Sequence, residues 1–271
     1  MQQRFWENDE MITENFFATR TDGKRIAGKL YIPDIQERKY PAVIVSHGFN
    51  ACYRDLEHHG QGFAEAGICC IFYDFCGGST RSMSDGAMTE MTLLTEAEDL
   101  RTVMEYAVKL PYVDPDRLFL LGESQGGFVS AYAAAELRIR GLILWYPAFV
   151  IPDDAKKRME AGVTDVFGIP ISPDYDPIAV GIDIYRVLPG YTGPVKLIHG
   201  DADGVVPIEY SRRAEEVYRQ AGLMDEAEHM DQRVELTVIP GAGHGFNGEE
   251  SVFAREESIR FIRGMINADA T

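Results

Sequence analysis

The sequence predicts an α/β fold, with a mostly parallel central sheet flanked by helices, on three observations. Short apolar runs alternate with helical stretches from residue 41 onward, which is the rhythm of βαβ units. Each run is nearly continuous in apolar residues, as strands covered on both faces require. Ahead of them lies a hairpin signal, Asp22-Gly23, between two strand-like stretches at 12–19 and 25–32.

The expected parallel strands are 41–46, 68–74, 117–122, 139–146, 194–199 and 233–239, and the expected helices are 57–66, 92–109, 124–137, 208–221 and 250–266. In 92–109, Leu93, Leu94, Ala97, Leu100, Val103, Met104 and Ala107 recur at spacings of three and four, which makes one apolar stripe. Residues 147–190 break the rhythm, with no clear strand and with Pro147, Pro152, Pro170, Pro173, Pro177 and Pro189. A bare loop of that length is improbable in a compact domain. With a helix at 153–163, the segment reads as a small cap insertion within a single domain spanning 1–271.

Composition narrows the function. Asp and Glu number 43 against 26 Lys and Arg, a formal charge of −17. Such a surface repels phosphate backbones and anionic lipid, so neither nucleic acid nor membrane is an expected partner. The four cysteines, Cys52, Cys69, Cys70 and Cys76, form no C-x-x-C pair, and read as buried thiols of a reducing compartment. The N-terminal stretch has no basic segment followed by an apolar one, and no run approaches the ~20 apolar residues of a membrane span. A cytoplasmic location is the expectation.

The chemistry is carried by 118–130, LFLLGESQGGFVS. An apolar strand runs into Gly122-Glu123-Ser124-Gln125-Gly126 and a helix follows, which is the G-x-S-x-G pattern in its strand–turn–helix setting. The turn holds the serine in a strained conformation with its hydroxyl exposed, and the flanking glycines remove side chains that would clash. A serine hydroxyl needs a base to take its proton, and the acid and histidine are expected later in the chain, in that order. HGDADGVVP at 199–207 supplies two acids, Asp201 and Asp203, and PGAGHGF at 240–246 supplies His244 among glycines. Both stretches follow strands, so both fall at the carboxyl edge of the sheet with Ser124. His47 and His199, each in an HG pair near a strand end, are assigned structural roles. An oxyanion hole needs two backbone N–H groups. Gln125, after the nucleophile, supplies one, and Phe49, in the SHGFNA loop after the first parallel strand, supplies the other.

These motifs resemble the α/β-hydrolase superfamily, and are most similar to the small bacterial cinnamoyl/feruloyl esterases. SHGFNA (46–51), LGESQGG (121–127), KLIHGDADGVVP (196–207) and GAGHGF (241–246) carry the resemblance. It implies an α/β-hydrolase fold with a cap insertion that shapes the pocket. Its H-G-x-x-D-x-x-V spacing favours Asp203 over Asp201 as the acid. It also implies a small ester as the partner, no cofactor or metal, and leaves a homodimer open. Two cap positions carry over: Tyr175, near the phenol ring of the substrate, and Asp154, near the ring hydroxyl. Glu123 departs from the pattern, since these esterases usually have histidine before the nucleophile. The expected function is therefore a serine carboxylic ester hydrolase acting through Ser124, His244 and Asp203. A prolyl-oligopeptidase-like peptidase and a non-catalytic binding protein on the same scaffold are the alternatives.

Overall fold

The structure is a computed structural model that describes residues 11–33, 39–223 and 234–267. Strands β1 (Ile12–Thr19) and β2 (Arg25–Ile32) form the expected antiparallel hairpin, in register from Ile12 opposite Ile32 to Thr19 opposite Arg25. Gly23 closes its turn at φ +90° and donates to Arg20 O at 2.9 Å, a backbone conformation open to glycine at little cost.

The chain then alternates. Strand β3 (Tyr40–Ser46) is followed by α1 (Tyr53–Leu56), a 3₁₀ turn (Glu57–His59), α2 (Gly60–Glu65), β4 (Cys69–Tyr73), α3 (Leu93–Ala107), β5 (Val113–Glu123), α4 (Ser124–Ala134) and β6 (Gly141–Trp145). After β6 it leaves the sheet through α5 (Ile151–Ala161), a short hairpin of β7 (Asp165–Val166) and β8 (Ile169–Pro170), α6 (Tyr175–Gly181), α7 (Ile184–Val187) and a second 3₁₀ turn (Leu188–Gly190). It returns as β9 (Val195–Gly200), α8 (Glu209–Leu223), β10 (Val234–Ile239) and α9 (Gly248–Asn267).

The eight-stranded sheet has the order β1-β2-β4-β3-β5-β6-β9-β10. The pairs β1/β2 and β2/β4 are antiparallel and all the others are parallel. Alternation along the inner strands sends neighbouring side chains to two separate cores. Ala42, Ile44, Ile71, Leu120, Leu144 and Leu197 join the core under α3, α4 and α8. Val43, Val45, Phe72, Leu121, Ile143 and Ile198 join the one under α2 and α9. Covering on both faces explains the unbroken apolar runs.

Three expectations are adjusted. Position 57–66 is not one helix but a 3₁₀ turn leading into α2, preceded by α1. A Cβ on Gly60 would lie 2.5 Å from the Tyr31 ring, so the first turn of α2 packs on β2 at a distance that only glycine permits. On α3, Leu94 is 40% exposed and lies off the stripe, which is made by Leu93, Ala97, Leu100, Val103, Met104 and Ala107. The buried acids Glu96 and Asp99 share that helix. Residues 147–190 do contain strands, the two-residue pair β7 and β8. Their turn runs through Phe167 (φ +53°) and Gly168 (φ +78°), the positive-φ geometry of a tight hairpin. The strand start at Arg233 lies outside the described residues. All four cysteines are buried and unpaired. Among the described residues no helix is long and apolar enough to cross a membrane.

Strands β3, β5, β9 and β10 run parallel, so the loops after them open at one edge. That places His47-Gly48-Phe49, Ser124, Asp203 and His244 together.

Candidate active site

Ser124 opens α4 at φ +49°, a left-handed conformation that costs a non-glycine residue of order 1–3 kcal/mol. The glycines around it are required by contact. A Cβ on Gly122 would lie 2.2 Å from Gly126 O, and one on Gly126 would lie 2.3 Å from Ser46 O. Strand, turn and helix are thus pressed together with backbone against backbone, and the serine is left projecting at the strand end.

His244 Nε2 lies 2.9 Å from Ser124 Oγ, and His244 Nδ1 lies 2.8 Å from Asp203 Oδ2. A carboxylate only accepts, so Nδ1 carries the proton and Nε2 is left as the acceptor for the serine hydroxyl. Gly241 (φ +75°) and Gly245 (φ +84°) bend the loop that delivers the imidazole. The Asp203 side chain has no exposed surface. Burial alone would raise its pKa, but N–H donors from His199, His244, Val206 and Val205 outweigh that and hold it well below the usual carboxylate range. Asp201 does not reach His244. Its Oδ1 accepts from Gly241 N at 2.6 Å and ties the β9 loop to the β10 loop.

The two other strand-end histidines brace the site. His199 is fully buried, with Nε2 at 2.9 Å from Val206 O and 3.2 Å from Asp203 Oδ2, and Nδ1 at 2.7 Å from Ser211 Oγ. His47 accepts from Phe75 N at Nε2, 3.1 Å, so its Nδ1–H donates to Gly48 O at 2.8 Å. Burial pushes the His47 pKa down, which keeps the ring neutral in that tautomer. Gly48 O and Phe49 N belong to one planar peptide unit. Fixing the carbonyl therefore fixes the direction of the Phe49 N–H.

Gln125 is the second residue of α4, so its N–H has no intrahelical acceptor. Its side chain is locked from both ends. Tyr175 Oη donates to Gln125 Oε1 at 2.5 Å, and Gln125 Nε2 donates to Glu96 Oε2 at 2.8 Å. Burial drives the Glu96 pKa well up.

A cavity of about 280 Å³ opens over Ser124 and His244. Phe49, Val150, Ile151, Phe167 and Val206 supply much of its apolar wall, with Tyr175 beside them. Asp154 and Arg158, one turn apart on α5, are its charged members away from the nucleophile. Asp154 Oδ1 also accepts from Lys157 Nζ at 2.8 Å, and Arg158 holds Asp176 with Nε at 3.2 Å and Nη2 at 2.6 Å. Tyr175 lines the cavity, but its hydroxyl proton is spent inside the protein, on Gln125 Oε1. Among the described residues no group of three His, Cys, Asp or Glu is arranged to hold a metal ion.

The model of the serine aminopeptidase S33 family matches residues 37–169. Est1E from Butyrivibrio proteoclasticus, solved with ferulic acid bound, superposes with a TM-score of 0.77 at 25% identity, over 93% of this chain and 99% of its own. The chain has the α/β-hydrolase fold. Its resemblance to the cinnamoyl/feruloyl esterases extends over almost the whole fold. Puromycin hydrolase shares the hydrolase fold at 18% identity and a TM-score of 0.72, over 95% of this chain and 40% of that one. Two Escherichia coli proteins, each described as an uncharacterized 31.7 kDa protein in the traX-finO intergenic region, are 31% and 30% identical over 107 residues. That match covers 39% of this chain and 36% of each relative.

The structure adds two residues that sequence reasoning left aside. Glu123 was legible only as a departure from pattern. In the structure its Oε1 accepts from Gly48 N at 3.2 Å and its Oε2 from Tyr146 Oη at 2.5 Å. Tyr146, at φ +35°, sets its ring edge-on to His244 with centroids 4.8 Å apart. No spacing rule pointed to Tyr146, because it ends a strand that contributes no other reacting group.

Proposed function

We propose that the chain is a serine carboxylic ester hydrolase that cleaves small aryl esters of the cinnamoyl/feruloyl type through an acyl-enzyme. The observation that supports this most is the pair of contacts at His244, 2.9 Å to Ser124 Oγ and 2.8 Å to Asp203 Oδ2. Both lie within proton-transfer reach at the floor of a cavity.

Ser124 Oγ attacks the ester carbonyl carbon while His244 Nε2 takes the hydroxyl proton. Asp203 orients the ring and stabilises the imidazolium without taking a proton itself. The tetrahedral oxyanion is held by the N–H groups of Phe49 and Gln125, with the positive end of the α4 dipole beneath. The bond to the alcohol oxygen then breaks and His244 returns its proton to that oxygen. Water repeats the sequence on the acyl-serine, releasing the acid. Residues 147–190 act as a cap on a single domain, and Asp154 on its helix α5, which lines the cavity, would accept from a ring hydroxyl of the acyl group. Tyr175 lines the same wall.

Ser124→Ala tests the reading. Hydrolysis of p-nitrophenyl acetate and methyl ferulate should fall to background with an unchanged melting temperature, and retained turnover would overturn it. A peptidase is the second reading, favoured by the aminopeptidase description of the matching family model. Faster turnover of a proline-containing arylamide than of any ester would select it.

A further inference from the structure

The carboxylate of Glu123 joins three strand ends. Glu123 closes β5 beside the nucleophile, Gly48 N comes from the loop after β3, and Tyr146 Oη comes from the end of β6. The two donors sit on different oxygens, so one rigid group sets the spacing between both loops. Gly48 is packed against the nucleophile: a Cβ there would lie 3.2 Å from Ser124 Cβ and 3.7 Å from its Oγ. The backbone of Gly48 is therefore held on both sides, at N–H by Glu123 and at C=O by His47 Nδ1. The C=O so held belongs to the peptide that presents Phe49 N–H, and the N–H held by Glu123 belongs to the peptide before it, so Glu123 fixes the Gly48 Cα from which the donor peptide extends. On the other oxygen, the bond to Tyr146 fixes a ring that lies against His244 at 4.8 Å and Phe246 at 4.6 Å. Tyr146 holds a positive φ, and such conformations persist only where the surroundings over-determine them.

We propose that Glu123 is a positioning residue for the acyl transfer, aligning the Phe49 oxyanion donor through Gly48 and seating His244 through Tyr146. The proposal rests on the serine hydrolase reading and adds to it a group that touches neither the substrate carbonyl nor the transferred proton. A misplaced oxyanion donor weakens the transition state more than the ground state, so the signature is a loss in kcat at nearly constant KM.

The experiment compares Glu123→Ala, Glu123→Gln and Tyr146→Phe on p-nitrophenyl acetate. A trifluoromethyl ketone, whose hemiketal places an oxyanion at the same point, serves as the transition-state probe. E123A should lose roughly 100-fold in kcat, the scale of one oxyanion donor, with KM within about threefold. The inhibition constant of the ketone should rise in parallel with the fall in kcat/KM. E123Q keeps the volume and an acceptor for Gly48 N, and should recover at least about tenfold of that loss. Y146F breaks only the Oε2 bond, and should fall between E123Q and E123A. Fluorophosphonate labelling of the wild-type protein separates the two levels of the argument. An unlabelled Ser124 sinks the hydrolase reading itself. A labelled Ser124 together with an E123A kcat within threefold of wild type sinks the present proposal alone, as does an E123Q no better than E123A. If E123A does not fold, Y146F decides in its place: a loss of about fivefold or more in kcat at constant KM supports the proposal, and an unchanged kcat overturns it.

Discussion

Replacing Asp203 by asparagine changes one charge and one hydrogen-bond direction at almost constant volume. The aspartate accepts Val205 N and Val206 N on Oδ1, each at 2.8 Å, and faces His199 Nε2 and His244 Nδ1 with Oδ2, at 3.2 and 2.8 Å. An asparagine can keep its carbonyl on the backbone pair, which turns its NH₂ toward the two imidazoles. Donor then faces donor at His244, and the ring escapes by moving its proton from Nδ1 to Nε2. In that tautomer no lone pair points at Ser124, so the base is lost together with the charge that stabilises the imidazolium. The corresponding substitution in a serine protease costs about four decades in kcat, and three to four decades correspond to about 4–5 kcal/mol at 1.36 kcal/mol per decade. Asp201→Asn is the control. Its carboxylate serves Gly241 N, so kcat should stay within about threefold of wild type. Steady-state kinetics on p-nitrophenyl acetate at neutral pH decides between them. A D203N enzyme within tenfold of wild type, or a D201N enzyme more impaired than D203N, would refute the assignment.

Gly126→Ala sets a Cβ 2.3 Å from Ser46 O and 2.5 Å from His47 O. These are backbone atoms that cannot swing aside, so a loss of about 1–3 kcal/mol is expected in urea unfolding, and an unshifted midpoint would contradict the contact. Phe167 is 79% exposed yet lines the cavity. Its replacement by alanine should leave the melting temperature unchanged and raise KM for aryl esters about fivefold, the worth of ~1 kcal/mol of apolar cover. A changed melting temperature at constant KM would reverse that account. His59 is held down to a pKa of about 3 by burial and by the neighbouring His58, against about 6.5 in an unfolded chain. Between those values the unfolded state binds a proton that the native state refuses. Stability should therefore fall as pH drops from about 6.5 toward about 3, by up to ~1.4 kcal/mol per unit. His59→Phe should flatten that slope in urea titrations run near pH 7 and near pH 5, and equal slopes would count against it.

The fold was readable because its strands are buried twice over. Runs such as the ICCIFYD stretch have no polar face to offer, which excludes a one-sided sheet. Gly122, Gly126 and Ser124 were readable because close backbone contact leaves few residue types able to fill those positions. The α2 region was read as one helix because a 3₁₀ turn leading into an α-helix carries no sequence signal of its own, and the contact that reserves position 60 for glycine is with the Tyr31 ring, 29 residues earlier. The β7–β8 hairpin was invisible because two-residue strands carry no periodicity. The contacts of Glu123 with Gly48 and Tyr146, and the chain of hydrogen bonds from Tyr175 through Gln125 to Glu96, could not be found along the sequence. Each joins elements whose proximity exists only after the sheet is assembled. Asp203 illustrates the middle case. Residue type and loop placement left it level with Asp201, and the resemblance in spacing favoured it. The four N–H groups gathered around its carboxylate are what set the two apart in the structure.

Strand β10 pairs with β9 and lies at the outer margin of the sheet, and the loop that follows it delivers His244. Outer strands detach at lower cost than interior ones. Here the loop is stapled to the β9 side by Gly241 N on Asp201 and by Ala202 N on Ala242 O, 3.1 Å. The outermost seam, rather than the interior, is therefore expected to open first on denaturation. On gradual denaturation turnover should cease while most of the ellipticity survives, and dilution should restart it without any need to rebuild the centre.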